Sequence, residues 1–443
     1  MELTLRLIKL FNIILMSLPI FFVWRYDVSH MAKIHFYFWG DLAFAFFFAI
    51  IYVTYARIYD VYRVAYSRIS EMFYGQVLAA GFADCFIYLL FTLLIKEIYI
   101  PFYFIPVLLL QTLWALIWSR LAHRYYFHNN PPMRTIVIYD EREDFAGLVE
   151  RYDMKKLFAI EKHIHIKDVL EHLECLSEVQ AILLFGVHSH DRNVILKICV
   201  DRDIQCYLLP RIGDVIMNGA RSVRLFHLPM FLVSRSRPKP EYIIVKRIFD
   251  IVSSGIVLLL ISPILIGTAL AIKVQDGGPV LYKQERLTKD GEKFMVYKFR
   301  SMRQDAESDG VARLSSGEND DRITPVGRFI RKCRIDELPQ LLNIIGGSMS
   351  VVGPRPERPE IAAQYEAAMP EFRLRLQVKA GLTGYAQVYG KYNTTPYDKL
   401  QMDLMYIAKA NFFDDLRIIF ATIRILFSAQ STEGVAEGKV TAA

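Results

Sequence analysis

Four long apolar segments near the N-terminus set the first constraint: about Leu5–Trp24, Ile34–Ile58, Met72–Ile95 and Ile98–Trp118. Each approaches or exceeds the roughly 20 residues that an α-helix needs to cross a bilayer. The 443 residues are 53% hydrophobic, too apolar for an ordinary water-soluble enzyme, and the excess is concentrated in these segments. The first is not a signal peptide, since it lacks a small-residue cleavage site and three more spans follow. Loop charge orients the bundle. Arg57, Arg63 and Arg68 follow the second segment and Arg120, Arg124 and Arg134 the fourth, whereas the Ile95–Ile98 turn carries only Lys96 and Glu97. By the positive-inside rule, the N-terminus and everything after Trp118 face the cytoplasm. Arg25 and Lys33 are a mild exception, partly offset by Asp27. Asp41 and Asp84, inside the spans, are expected to make buried polar contacts.

A fifth apolar segment, Ile248–Val274, breaks the pattern, because Lys246 and Arg247 precede it and Lys273 lies at its end. A full crossing would put the rest of the chain outside the cell. Ser262-Pro263 lies near its middle, where proline removes a backbone hydrogen bond and kinks a helix. The expectation is a re-entrant hairpin over 241–275 that enters from the cytoplasm, bends at Pro263 and returns. The Ser262 hydroxyl or neighbouring protein then has to cover the freed backbone.

Between these regions, 134–235 reads as a soluble α/β domain with strands at Thr135–Tyr139, Ala181–Phe185 and Gln205–Leu209, a Rossmann-like alternation. Acidic residues follow Thr135-Ile-Val-Ile-Tyr139, where a dinucleotide pyrophosphate needs glycines for close backbone approach, so NAD binding is not expected. The His163/His165 and His188/His190 pairs lack supporting carboxylates or thiols in the sequence, which disfavours a metal site. The five cysteines show no metal-ligand or disulfide spacing. The net charge of +7 fits an anionic membrane face or phosphate-bearing ligands. No nucleic-acid recognition motif accompanies it, so a nucleic-acid partner is not expected.

The chemistry is concentrated in 276–428, with 429–443 as a polar tail. Asp290-Gly291 signals a hairpin leading into Phe294–Met302, where the two-residue period sets Lys298 and Arg300 on one face, Arg300 as a candidate phosphate contact. Arg303–Arg322 reads as a loop. Thr324-Pro325 should start a short helix reaching about Cys333, bearing Arg328, Arg331 and Lys332. Asp336 is expected to cap the next helix, with Glu337 in its first turn and Gly346-Gly347 as its stop. Pro354 and Pro356 fix the backbone on both sides of Arg355, presenting its guanidinium for bidentate phosphate binding. Two adjacent carboxylates among cations point to phosphoryl transfer, one attacking while the other ligates Mg²⁺. Thr395-Pro396 opens a helical region, and Asp414–Phe427 is amphipathic, suiting either a membrane interface or a packed core.

Six motifs in order carry a resemblance: Lys246-Arg-Ile-Phe-Asp250, Ser262-Pro263, Tyr297-Lys-Phe-Arg-Ser-Met302, Asp336-Glu-Leu-Pro-Gln340, Gly353-Pro-Arg-Pro356 and Gly381-Leu-Thr-Gly384. From Lys246 to about Gly434 the chain resembles the bacterial polyprenyl-phosphate hexose-1-phosphate transferases, the monotopic phosphoglycosyl transferases. Four spans (1–124) and a degenerate nucleotide-fold domain resemble the long-form members. The resemblance implies an enzyme of the bacterial cytoplasmic membrane, a homodimer by similarity, that takes a UDP-sugar and undecaprenyl phosphate at the cytoplasmic face beside membrane lipid. It further implies that Asp336 attacks the β-phosphate of the UDP-sugar and releases UMP, leaving a sugar-phosphoryl aspartate that undecaprenyl phosphate resolves. Glu337 then matches the Mg²⁺ carboxylate, Arg331 and Arg355 match phosphate-handling residues, and Lys283 and Asp403 fall near the site. Lys391 stands where an arginine is frequent and Tyr385 where a tryptophan is frequent; a lysine offers a point charge in place of a planar fork. Lys391–Lys399 and Ser431–Val435 look like capsule-initiating members that use glucose or galactose. Two other readings compete. A nucleotide-sugar dehydratase would need the missing glycine fingerprint and a Tyr-x-x-x-Lys couple, and a non-catalytic assembly scaffold would not need Asp336-Glu337.

Overall fold

A computed structural model describes residues 2–32, 37–97, 102, 104–140, 154–236, 238–303, 322–390 and 394–426, in two compact units, Met1–Leu209 and Pro210–Ala443. The expected loop at 304–321, residues 141–153, Lys391 and the polar tail 429–443 lie outside the described residues.

In the first unit the apolar segments form α1 (Glu2–Val23), α2 (Phe38–Ile58), α3 (Ile69–Ile95) and α4 (Phe104–Asn129). Their polarity is inverted relative to a water-soluble bundle. Asn12, Gln76, Asp84 and Gln111 are buried, while Leu93 is 74% and Leu109 65% exposed. The buried groups bond to one another: Gln76 donates to Ser119 at 2.9 Å, Gln111 to Asp84 at 3.3 Å, and Trp24 to Asp41 at 2.9 Å, while Asp84 Oδ2 and Gln111 Oε1 have no hydrogen-bond partner among the described residues. Such an arrangement is stable where the surroundings are hydrocarbon, and it fits a membrane bundle. Asp41 and Asp84 make the buried contacts expected of them.

Four parallel strands follow in the order β2-β1-β3-β4: β1 (Met133–Tyr139), β2 (Phe158–His165), β3 (Ala181–Phe185) and β4 (Gln205–Leu208). Ile136, Ile138, Ile182 and Leu184 fill the core beneath α5 (Ile166–Glu171) and α6 (Ser189–Asp201). Strand β2 was not among the expected strands, although Phe158, Ile160 and Ile164 alternate with polar residues as an exposed edge strand requires. At the strand ends the carboxylate of Asp140 lies 3.6 Å from His165 and 3.9 Å from His188. Those histidines therefore have a supporting carboxylate that linear spacing hid. Among the described residues no group of three such side chains is arranged to hold a metal.

The second unit starts earlier than the sequence implied. Helix α7 (Ile212–Asn218), assigned on sequence to the domain ending at 235, packs Ile212 and Val215 into the core of the second unit with Val352, Leu400, Leu404 and Ile418. The antiparallel hairpin β5 (Arg221–Leu225) and β6 (Leu228–Leu232) comes next. A strap then leads to the fifth apolar helix. It is pinned where Ser236 donates its N–H to Gln377 at 3.0 Å and its hydroxyl to the Ile407 carbonyl at 2.9 Å.

That helix, α8 (Pro240–Asp276), runs unbroken for 37 residues through Ser262-Pro263. The two arms expected on either side of a break are one continuous element. Proline leaves the Leu259 carbonyl without its N–H partner, and the Ser262 hydroxyl donates to that carbonyl at 2.8 Å. Both ends and the middle of α8 touch the same domain. Arg247 and Asp250 reach it near the start, Leu258 and Ile261 pack against Val296 and Leu341, and Ile272 packs against Phe299 and Ile330. The outer face stays apolar and open, with Leu259 76% exposed.

The remaining elements are the hairpin β7 (Leu281–Leu287) and β8 (Lys293–Phe299), α9 (Pro325–Lys332), α10 (Gln340–Gly346), β9 (Ser350–Val352), α11 (Pro359–Ala368), β10 (Gly381–Thr383), α12 (Tyr385–Tyr389), α13 (Pro396–Ala408) and α14 (Phe412–Leu426). Asp290, at φ 60°, and Gly291, at φ 82°, reverse the chain between β7 and β8. Helix α14, the amphipathic stretch, buries Ile418 and Ala421 in the core.

Candidate active site

The Thr324 hydroxyl accepts from the Gly327 N–H at 2.9 Å and Pro325 opens α9, as the N-cap and N1 chemistry dictates. Arg334 then turns the chain in the left-handed region, φ 58°. Only a short 3₁₀ turn, Ile335–Glu337, fits before Pro339, and α10 begins at Gln340. Asp336 is therefore not the helix cap expected of it. It sits inside the tight turn, four residues ahead of the helix. Gly347, at φ 90°, ends α10 as expected.

Glu337 is held by cations. Its Oε1 accepts from Arg355 at 2.8 Å and from Lys298 at 3.1 Å, and Arg334 stands 4.0 Å from Oε2. Burial pushes the Glu337 carboxyl up, but Arg355, Lys298 and Arg334 outweigh it and hold the group well below the usual carboxylate range. Asp336 behaves oppositely. Among the described residues it accepts no hydrogen bond and forms no ion pair. Burial, then the neighbouring Glu337 charge, raise it from 3.8 to about 6 against the pull of Lys298, Arg331 and Arg334. Lys298 is lowered, chiefly by burial.

Arg355 is set by its backbone. The Gly353 N–H donates to Thr383 and the Gly381 N–H to Pro354, both at 2.9 Å, tying β9 to β10. A Cβ on Gly381 would lie 2.1 Å from the Gly353 nitrogen, so this approach requires glycine. Behind it, Arg375 donates to the Arg355 carbonyl at 3.0 Å and pairs with the buried Asp403 at 2.7 Å and with Glu357 at 3.6 Å. Asp403 thus acts on the site through Arg375. Arg286 donates to the Pro356 carbonyl at 3.1 Å, and burial lowers it to about 10 despite Glu357.

The other expected site residues are scattered. Arg331 lies close enough for its charge to act on Asp336. Arg300 does not join the cluster; it is buried in an ion pair with Asp276 at the end of α8. Lys283 lies over the Tyr297 ring at 5.4 Å, and the register places that pair on the opposite hairpin face from Lys298. The roles of Lys298, Arg286 and Arg375 went unassigned in the sequence. Gln284 and Arg286 share a face with Lys298 by the two-residue period, so that signal was legible, but Arg375 reaches Arg355 only through the fold.

The donor set admits Mg²⁺. Glu337 Oε2 faces only Arg334, at 4.0 Å, among the described residues, and one carboxylate with substrate phosphates is a sufficient set for this ion.

An α/β domain carried on an apolar helix, with a paired carboxylate in a basic cradle, defines a membrane-associated group-transfer protein. The profile of the bacterial sugar transferase family matches residues 241–429. The exopolysaccharide production protein PSS of Rhizobium leguminosarum bv. phaseoli is 42% identical over 190 residues, 94% of that protein and 41% of this chain. The chain belongs to the bacterial sugar transferase family. Also similar are the UDP-glucose:undecaprenyl-phosphate glucose-1-phosphate transferase of Escherichia coli (strain K12), 40% identical over 212 residues, and the UDP-N-acetylgalactosamine-undecaprenyl-phosphate N-acetylgalactosaminephosphotransferase of Aeromonas hydrophila, 36% over 233. The matches cover 47% and 52% of this chain, and the chain spans 44% and 54% of those two relatives.

Proposed function

We propose that this chain transfers a hexose-1-phosphate, glucose or galactose, from a UDP-sugar to undecaprenyl phosphate with release of UMP, as the first membrane step in assembling a capsule, exopolysaccharide or O-antigen. The names of the relatives support the reaction class. The observation that carries the assignment of roles is the asymmetry of the carboxylates: Glu337 is clamped by Arg355 and Lys298, while Asp336 is uncommitted among the described residues.

An Asp336 oxygen attacks the β-phosphorus, forming an aspartyl O–P bond, and the bond to the UMP oxygen breaks. An oxygen of undecaprenyl phosphate then attacks the same phosphorus and the aspartyl bond breaks, regenerating the carboxylate. Both nucleophiles are anionic, so neither step needs a base. Arg355, Lys298 and Arg331 provide the positive field for charge moving onto phosphate oxygens. Glu337 would hold Mg²⁺, which supplies charge neutralisation between the phosphates. Helix α8 dips into the cytoplasmic leaflet as one continuous helix bent at Pro263, with both ends on the cytoplasmic side, and its contacts with one domain near both ends and at its middle support that topology. The four-span bundle and the Rossmann-like domain complete a long-form architecture in the bacterial cytoplasmic membrane.

Membranes bearing the protein, given undecaprenyl phosphate and a panel of UDP-sugars with and without Mg²⁺, should release UMP. Asp336→Asn should insert normally and release none; turnover like the wild type would refute the nucleophile, and silence with every donor would refute the reaction.

A further inference from the structure

The Lys246-Arg-Ile-Phe-Asp250 motif lies on the membrane helix α8, outside the carboxylate cluster. Arg247 and Asp250, three residues apart, share one helix face, and each reaches an element adjoining in the chain a segment that carries the site groups, α10 just after Asp336-Glu337 and β9 just before Arg355. Arg247 donates from Nη1 to the Ile344 carbonyl at 2.6 Å and from Nη2 to the Ile345 carbonyl at 2.7 Å. These are terminal carbonyls of α10, the helix that follows Asp336 and Glu337, and a cation there also complements the helix dipole. Asp250, buried, accepts from the Ser350 hydroxyl at 2.8 Å and from the Val351 N–H at 3.1 Å. Val351 lies in β9; the Ser350 N–H, and the Gly353 N–H just past the strand, bond to the β10 side, and Asp250 takes the Val351 N–H between them. Strand β9 runs directly into Gly353-Pro354-Arg355. Lys246 anchors the same turn, 2.7 Å from Asp415 of α14.

We infer that Arg247 and Asp250 are positioning residues for the transfer site: Arg247 sets the carboxylate turn through α10, and Asp250 sets Arg355 through β9. The seating of a membrane helix thereby fixes the distance between nucleophile and phosphate clamp. The kinetic part rests on the proposed reaction; the geometric part does not.

Two measurements on the full-length protein in lipid vesicles test this. In hydrogen–deuterium exchange, Asp250→Ala should speed exchange in residues 350–356 and leave 338–347 near the wild-type rate. Arg247→Ala should do the reverse. Uniform acceleration, or none, overturns the proposal whatever the substrate is. In UMP-release kinetics normalised to titrated active sites, Asp250→Ala should raise KM for the UDP-sugar by ~10-fold with a smaller change in kcat, while Arg247→Ala should lower kcat by ~10-fold or more with KM nearly unchanged. Asp250→Asn keeps an oxygen for the Val351 N–H and should restore KM to within about 3-fold of wild type. Variants that differ only in the fraction of active sites, with kcat and KM per site unchanged, overturn it as well. Wild-type protein that releases no UMP condemns the reaction, and the exchange result still decides the positioning roles.

Discussion

In a 3₁₀ turn successive side chains fan out by about 120°, and that angle separates Asp336 from Glu337. Glu337 bonds to the Arg355 guanidinium and the Lys298 ammonium, whereas Asp336 feels the Lys298, Arg331 and Arg334 charges without a hydrogen bond or ion pair among the described residues. The consequence is measurable as an acid limb. Attack requires the Asp336 carboxylate, whose pKa is raised to about 6, so kcat/KM should be half its plateau near pH 6, approach a tenfold fall per pH unit well below it and level off about a unit above it. The same shift bears on stability. A carboxyl whose folded pKa, about 6, lies above its ordinary 3.8 favours the native state while protonated; that contribution is full below about pH 4 and is lost as pH rises through 6. At pH 7 the ionised group is a cost, of order 2–3 kcal/mol at most for a shift of about two units. Asp336→Asn should therefore raise the thermal midpoint at pH 7 while abolishing UMP release, with little gain at pH 4. A lower midpoint at pH 7 would contradict this account.

Among the elements, α8 makes the most local demand. The Leu259 carbonyl has lost its helical partner to Pro263, and the Ser262 hydroxyl replaces it. Ser262→Ala should leave that carbonyl unsatisfied beside hydrocarbon and cost about 1–3 kcal/mol, read as a lower thermal midpoint in lipid. Ser262→Thr, which keeps the hydroxyl, should lose much less. This bond was legible in sequence because proline chemistry is local. So were Thr324-Pro325 as a helix start and Gly346-Gly347 as a stop. Asp336 misled because capping statistics describe a residue entering a helix from extended chain. Here the left-handed turn at Arg334 and the ring of Pro339 enclose it first. Arg300 misled for a related reason. The two-residue period gave its face correctly, but Asp276, from the end of α8, occupies it. Arg375 was out of reach altogether, since its hydrogen bond to Arg355 and its ion pairs with Glu357 and Asp403 join residues separated by 18 or more positions in the chain.

At the scale of the whole chain, the boundary between the units is at Leu209/Pro210, ahead of the composition change near residue 235. The sequence offered no signal for this, because α7 resembles any short helix of an α/β domain; only its burial against α13 and α14 assigns it. A protein beginning at Pro210 should keep UMP release. One beginning at residue 238 empties the places of Ile212 and Val215, and should be less stable by roughly 2–5 kcal/mol, seen as a lower thermal midpoint in detergent. Equal midpoints would mean α7 is dispensable. The pinned strap has a mechanical consequence as well. In chain order its two hydrogen bonds at Ser236 fall between the first unit and α8, so together with the packing of α7 they anchor the backbone to the second unit before the chain enters the helix that seats the reacting groups.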